Sequence, residues 1–385
     1  MKFFFSLTLL FSVLQMNAVA QQTISDSISH DGMTREYILY VPANYTGTEE
    51  VPLLFNFHGY TSNATEQMWY GDFRSIADTA GFIIIHPEGT EDGTGTTHFN
   101  VGWGGSTVDD VSFTEALIDS ISAEYTINQD RIYSTGMSNG GFMSFKLACE
   151  LSDRIAGIAS VTGSILPATL NSCNALHSTP IMQIHGTSDG TVPYGGGAGW
   201  TEPIVSLVDY WADFNNCDLT AVVTNVPDIN TGDGTTVEKF SYLNGDNCTE
   251  VIHYKVDNGG HTWPGTVFTS AGTNQDINAS VEIWKFLSQY DINGLIGSCS
   301  TAGIENDFED VYTVFPNPAT NTIYIKGVQK FTDMQEVKIT DLSGAIVISS
   351  NDIENGIDVS GLADGMYIVH LVQDKGETVL RFAKK

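Results

Sequence analysis

Between Thr34 and about Tyr290, short β-rich apolar runs alternate with longer stretches of helical periodicity, and no other property of the chain narrows its fold so sharply. A strand that is apolar throughout must be covered on both faces, so this repeat implies βα units that build a largely parallel sheet. Tyr37 to Val41 alternates like an edge strand, whereas Leu53 to Phe57, Phe82 to Ile85, Ile132 to Thr135, Ile155 to Val161 and Ile181 to Ile184 read as buried strands. A further strand is expected over Val251 to Val256. Helices are expected over Gln67 to Ala80, Val111 to Tyr125, Gly141 to Leu151, Val205 to Phe214 and Ala279 to Tyr290. In the second of these, Ala116, Leu117, Ile118 and Ile121 contribute to an apolar stripe, and Asp109 and Asp110 stand where a helix N-terminus favours negative charge. The expected fold class is α/β, a doubly wound and mostly parallel sheet.

The texture changes after Tyr290. Residues 291–310 are small, polar and acidic and read as a linker, and 311–385 read as short strands punctuated by turn residues, a small all-β sandwich. At the other end, Lys2, the apolar Phe3 to Leu14 and Ala18-Val19-Ala20 read as a signal peptide over 1–20, leaving 21–290 as the large domain. No segment of the mature chain is apolar enough to span a bilayer. A formal charge of −30 repels phosphate backbones and excludes nucleic acid as a partner. Five cysteines are dispersed without a C-x-x-C pair, which leaves zinc and thioredoxin-like readings unsupported. Export makes disulfides plausible. Of the roughly fifteen arrangements open to two bridges and a spare thiol, the expected one joins Cys149 to Cys173 and Cys217 to Cys248, with Cys299 left over.

A serine hydroxyl is a weak nucleophile until a base takes its proton and a strained turn exposes it. Gly136-Met137-Ser138-Asn139-Gly140 offers such a turn, but Gly186-Thr187-Ser188-Asp189-Gly190 carries the same G-x-S-x-G pattern. Only Ser138 lies between an expected strand and an expected helix, so Ser138 is the candidate nucleophile. Asp189 follows the strand ending at Ile184, where its carboxylate could orient an imidazole; the competing role is a turn aspartate capping its own backbone. Among nine histidines, His261 comes late in the chain, after Gly259-Gly260 and a strand, and is the candidate base. His253 lies inside that strand and reads as structural.

Acyl transfer also needs two N–H groups aimed at a developing oxyanion. Asn139 should supply one and Tyr60, in the turn His58-Gly59-Tyr60, the other, with Thr61 next in order and His58 structural. Trp103, Trp200 and Trp263 are candidates for a stacking platform that binds substrate, against the commoner role of partly buried core. No metal site is expected, because the Gly-rich stretches Asp92 to Thr96 and Thr231 to Thr235 lack the ligand alternation a cation requires, and no cofactor is expected either.

Taken together, His58-Gly59, Asp109-Asp110-Val111, Arg131 to Gly141, His185 to Asp189 with Val192-Pro193-Tyr194, and Gly259-Gly260-His261-Thr262-Trp263-Pro264-Gly265 resemble the secreted polyhydroxybutyrate depolymerase and feruloyl/acetylxylan esterase group of α/β-hydrolases. The resemblance implies an α/β-hydrolase fold and metal-free ester hydrolysis through an acyl-enzyme, with the triad carried onto Ser138, Asp189 and His261. Substrate does not carry over: an extracellular polymer or small ester is expected, and members of the group act on polyhydroxyalkanoate-type polyesters, on feruloyl and acetyl esters of plant xylan, or on small esters, among which fold-level kinship does not choose. Val314 to Pro318, Asp341 to Gly344 and Leu362 to Tyr367 resemble the sorting domain of the type IX secretion system. That likeness implies the secretion machinery as a partner and passage across both membranes to the cell surface or beyond. A serine peptidase of related fold and a non-catalytic cell-surface binding protein are the competing readings.

Overall fold

Residues 21–297 and, within 313–385, all but 317, 327–333, 342–345, 351–355, 364 and 374–375 are described by the computed structural model. The expected signal peptide and residues 298–310 of the expected linker, Cys299 among them, lie outside the described residues. The chain divides into two units, Met1–Cys299 and Ser300–Lys385.

In the first unit the strands are β1 (Gln22–His30), β2 (Met33–Val41), β3 (Val51–Phe57), β4 (Ile83–Pro87), β5 (Thr90–Glu91), β6 (Thr97–His98), β7 (Ile127–Met137), β8 (Gly157–Val161), β9 (Ile181–Gly186), β10 (Val222–Asn225), β11 (Thr236–Tyr242) and β12 (Val251–Asp257). Tyr290–Asp291 pairs with Gly294–Leu295 as a further antiparallel hairpin, and all of the numbered strands but the β5–β6 hairpin join one ten-stranded sheet in the order β1-β2-β4-β3-β7-β8-β9-β12-β11-β10. Its six central strands, β4 to β12, run parallel. Antiparallel strands flank them at both edges. The runs that read as continuously apolar are these central strands, and helices cover both of their faces.

The helices are α1 (Ala64–Tyr70), α2 (Arg74–Ala80), α3 (Asp110–Glu124), α4 (Asn139–Glu150), α5 (Pro167–Asn171), α6 (Ile204–Phe214) and α7 (Ala279–Leu287). Phe113 and Leu117 of α3, Phe142 and Phe145 of α4, and Leu207 and Trp211 of α6 fill the core on one face of the sheet. Ala77 of α2, with Ile283, Trp284 and Leu287 of α7, fills the core on the other. Helix α3 starts where its acidic pair directs: Asp109 accepts from the Val111 and Ser112 amides, and buried Asp110 binds Arg35 at 2.6 Å. Among the described residues no helix is long and apolar enough to cross a membrane.

Three sequence expectations need correction. The single helix expected over Gln67 to Ala80 is two: the backbone leaves the helix at Gly71 (φ −107°, ψ 67°), and Asp72 caps the Arg74 amide of a fresh helix. The sheet begins earlier than Thr34, since β1 pairs along its whole length with β2. The expected Cys217–Cys248 bridge is absent: Cys149 joins Cys173 as expected, but Cys217 is a buried free thiol and Cys248 is in a disulfide without it. Cys217 Sγ instead donates to the Thr249 carbonyl at 3.7 Å, and burial pushes its pKa up to about 11.

In the second unit, strands Thr313–Phe315, Thr322–Lys326 and Ile357–Asp358 form one antiparallel sheet, and Met334–Thr340, Ile346–Ser350, Gly365–Gln373 and Gly376–Lys384 form another. Ile323 and Ile357 of the first sheet and Val337, Ile339, Val369 and Leu371 of the second share one buried cluster, the packing of a small sandwich.

Candidate active site

Open parallel sheets expose a crevice at the carboxyl ends of their strands, and each candidate residue lies at such an end. Ser138 follows β7, Asp189 follows β9, His261 follows β12, and Gly59-Tyr60 follow β3. Ser138 has φ 53° and ψ −116°, a conformation a non-glycine residue holds only under local strain of about 1–3 kcal/mol. Its hydroxyl caps no amide of α4, so it stays available to the cleft. The flanking glycines make that turn possible: a Cβ at Gly136 would lie 2.6 Å from the Phe57 carbonyl oxygen, and one at Gly140 2.8 Å from that of His58. Ser188 of the second G-x-S-x-G is exposed and precedes a turn rather than a helix.

His261 Nδ1 donates to Asp189 Oδ2 at 2.8 Å. The other carboxylate oxygen, Asp189 Oδ1, accepts from the Thr191 and Val192 amides, each at 2.8 Å. Burial works to raise the Asp189 pKa, but the hydrogen bond from His261, the electrostatic influence of the His261 and His185 imidazoles and the Val192 amide outweigh it and hold the group below the usual carboxylate range. Asp189 therefore caps its own turn through one carboxylate oxygen while the other accepts from the His261 imidazole. Ser138 and His261 line one cleft of about 500 Å³, although no hydrogen bond joins them among the described residues. A serine–imidazole bond that closes only with substrate present is common in free enzymes.

The loop carrying His261 is tied down from behind. Trp263 Nε1 donates to Ser280 Oγ at 3.2 Å, the Pro264 carbonyl accepts from the Ala279 amide at 3.0 Å, and Gly265, at φ 77°, sits where a Cβ would be 2.6 Å from Asn278. The Trp-Pro-Gly run thus anchors the loop to the start of α7. Trp263 is 1% exposed and belongs to the core, which corrects its expected place in a substrate platform. Trp103 and Trp200 are half-buried and pack on each other and on Phe142, and neither lines the cleft.

The aromatic side chains that do line the cleft are Tyr60, Trp69, Tyr70 and Phe268, with Met137 beside them. Sequence reasoning missed Trp69, Tyr70 and Phe268. No local motif marks them: Trp69 is 50% and Phe268 53% exposed in the structure, and only the folded chain brings the end of α1 beside the loop after His261.

Among the described residues, the amides of Tyr60 and Asn139 have no hydrogen-bond acceptor, whereas the Thr61 amide is spent on the Thr97 carbonyl at 3.0 Å. Asn139 is held by a two-way bond, its Oδ1 accepting from the Phe99 amide at 2.7 Å and its Nδ2 donating to the Phe99 carbonyl at 3.0 Å. His58 donates from Nδ1 to the Gly59 carbonyl at 2.8 Å and accepts the Gly89 amide at Nε2 at 3.0 Å. Burial lowers its pKa to about 4, so it stays neutral and braces the turn that carries Tyr60. His253, likewise buried, accepts from Tyr194 and donates to the Gln183 carbonyl, which makes it structural as its strand position suggested.

Residues 107–218 match the phospholipase/carboxylesterase family and residues 313–385 the secretion system C-terminal sorting domain. The latter is the signal of type IX export to the cell surface or the extracellular space. Among curated proteins, the chain is 30% identical over 219 residues to the probable feruloyl esterase C of Aspergillus clavatus, covering 52% of this chain and 74% of that one. It is 26% identical over 283 residues to the bifunctional acetylxylan esterase/xylanase of Neocallimastix patriciarum, covering 73% of this chain and 37% of that protein. It is 30% identical over 193 residues to feruloyl esterase B of Piromyces equi, covering 48% of this chain and 36% of that protein. The chain thus spans little more than a third of the two longer relatives. With the hydrolase sheet, the strained serine turn and these likenesses in hand, the chain belongs to the carboxylesterase family of α/β-hydrolases that includes the feruloyl esterases.

Proposed function

We propose that the protein is an exported serine esterase that cleaves aromatic acyl esters, of the kind that decorate plant xylan, through an acyl-enzyme on Ser138. The observation that carries this reading is the 2.8 Å bond from His261 to a buried Asp189, opening onto the same cleft as the strained Ser138. Neutral His261 takes the Ser138 proton as Oγ attacks the acyl carbon, and ionised Asp189 stabilises the imidazolium that results. The unpartnered Tyr60 and Asn139 amides receive the oxyanion, aided by the positive end of α4. The imidazolium then protonates the leaving alcohol, and water repeats the sequence to release the acid.

Aromatic acyl groups are favoured because Trp69, Tyr70, Phe268 and Met137 line the cleft next to the serine, a wall far larger than an acetyl group can contact. Substituting Ser138→Ala should abolish p-nitrophenyl acetate hydrolysis and labelling by a fluorophosphonate, and near-normal turnover would refute the serine mechanism. On a panel of methyl ferulate, acetylated xylan and polyhydroxybutyrate film, methyl ferulate should show the highest kcat/KM, and Trp69→Ala should raise its KM. A preference for either of the other two refutes the aromatic assignment. Cleavage of matched peptide amides at comparable rates would instead favour a peptidase.

A further inference from the structure

We propose that His185, which takes no direct part in the chemistry above, is a positioning residue that holds the Asp189–Val192 turn in the conformation that presents its carboxylate to His261. The inference rests on the reading of Ser138, His261 and Asp189 as a triad.

His185 is the penultimate residue of β9 and is fully buried. Its Nδ1 faces Gln183 Nε2 at 2.9 Å, and the same amide nitrogen lies 2.9 Å from the Gly163 carbonyl. An amide nitrogen only donates, so its two hydrogens serve Gly163 and His185, and His185 Nδ1 must accept. The remaining ring proton therefore sits on Nε2. That N–H points at the Val192 carbonyl at 2.8 Å, with Asp189 Oδ2 at 3.4 Å.

The consequence is a closed turn. Val192 gives its amide to Asp189 Oδ1 and its carbonyl to His185, so one residue links the carboxylate to a fixed ring. Asp189 Oδ2 has a second N–H beside it besides that of His261. The ionisable groups around the ring are Asp189 and His261 from the two loops, His253 from β12, and Tyr194, whose ring meets it edge-on at 6.0 Å. Burial lowers the His185 pKa to about 4, so the ring remains a neutral donor over the range in which an esterase of this kind works.

Removing the donor leaves the Val192 carbonyl buried and unpaired and lets the turn relax, and a carboxylate displaced by about 1 Å costs on the order of 10²-fold in rate. The experiment compares His185→Phe, which keeps a ring but no donor, with His185→Gln, whose amide can donate near the Nε2 position. Measurements are kcat and KM on p-nitrophenyl acetate, the pH profile of kcat/KM, and Tm. His185→Phe should lose roughly 10²-fold in kcat with KM little changed, and the acidic limb of kcat/KM should move to lower pH, because an imidazolium without its carboxylate is a stronger acid. His185→Gln should recover most of kcat.

Should His185→Phe fail to fold, Gln183→Met, which removes the donor that pairs with His185 Nδ1 and steadies the ring, should still lower kcat and move the same limb. An unmoved acidic limb in the folded variants, whether kcat is retained or falls with Tm, overturns the positioning role. A wild-type enzyme that no fluorophosphonate labels at Ser138 would instead refute the triad reading itself.

Discussion

Of the two G-x-S-x-G motifs with the same spacing, only the first should be damaged by substituting its last glycine with alanine. A Cβ at Gly140 would lie 2.6 Å from the carbonyl carbon of Phe57 and 2.8 Å from the oxygen of His58, both backbone atoms at the end of a strand held on each side by β4 and β7. Ordinary carbon contacts begin near 3.5 Å, so the start of α4 must retreat by about 1 Å. Asn139 opposes that retreat through its paired bonds to Phe99. Overpacking of this kind costs about 1–3 kcal/mol, more than the roughly 0.5–1 kcal/mol that alanine gains over glycine in a helix. A Tm loss on the order of 5 °C is expected for a unit of this size. The retreat also carries Ser138 and the Asn139 amide away from Tyr60, which should lower kcat on p-nitrophenyl acetate by roughly 10²-fold. At Gly190, the last glycine of the second motif, an added Cβ would meet nothing within 4 Å, and the backbone there is not left-handed. Gly190→Ala should therefore leave Tm and kcat close to wild type. Paired thermal melts and steady-state rates decide it: if Gly140→Ala retains both properties, or Gly190→Ala loses them equally, the steric account of the serine turn is wrong.

Two further outcomes follow from burial. Trp263→Ala should destabilise the enzyme by about 3–5 kcal/mol in urea titrations while leaving KM for methyl ferulate near normal, whereas a raised KM with unchanged stability would return Trp263 to the substrate site. Stability should also fall on acidification. Burial holds His58, His185 and His253 at about 4 and His86 at about 3, against 6.5 for an exposed imidazole. Between pH 6.5 and 4 the unfolded chain binds protons that the folded chain refuses, so stability falls with pH at about 1.4 kcal/mol per unit for each such histidine. The depressed Asp189 pKa acts in the same direction at lower pH still. A urea midpoint that stays flat from pH 7 to about 4.5 would contradict this burial.

What the residues determined by themselves was local. The parallel core strands, the helix starting at Asp109 and the strand–turn–helix setting of Ser138, which Ser188 lacks, were legible because periodicity, caps and turn residues are written within a few residues of each other. Chain order likewise led to Asp189 and His261, whose hydrogen bond the fold supplies. The tertiary structure alone decided what depends on residues far apart in the chain. The expected first helix ends at Gly71, where Trp263 packs, and the ring of Trp263 lies in the core rather than in the cleft. Trp69 and Phe268, nearly two hundred positions apart, become the walls of one cavity. Cys217 stays a free, buried thiol, because a cysteine's spacing along the chain carries no information about the direction of its Cβ in space. Turn chemistry and periodicity are properties of a window of sequence, whereas a cleft wall or a disulfide is a meeting of windows, and only the closed sheet decides which of them meet.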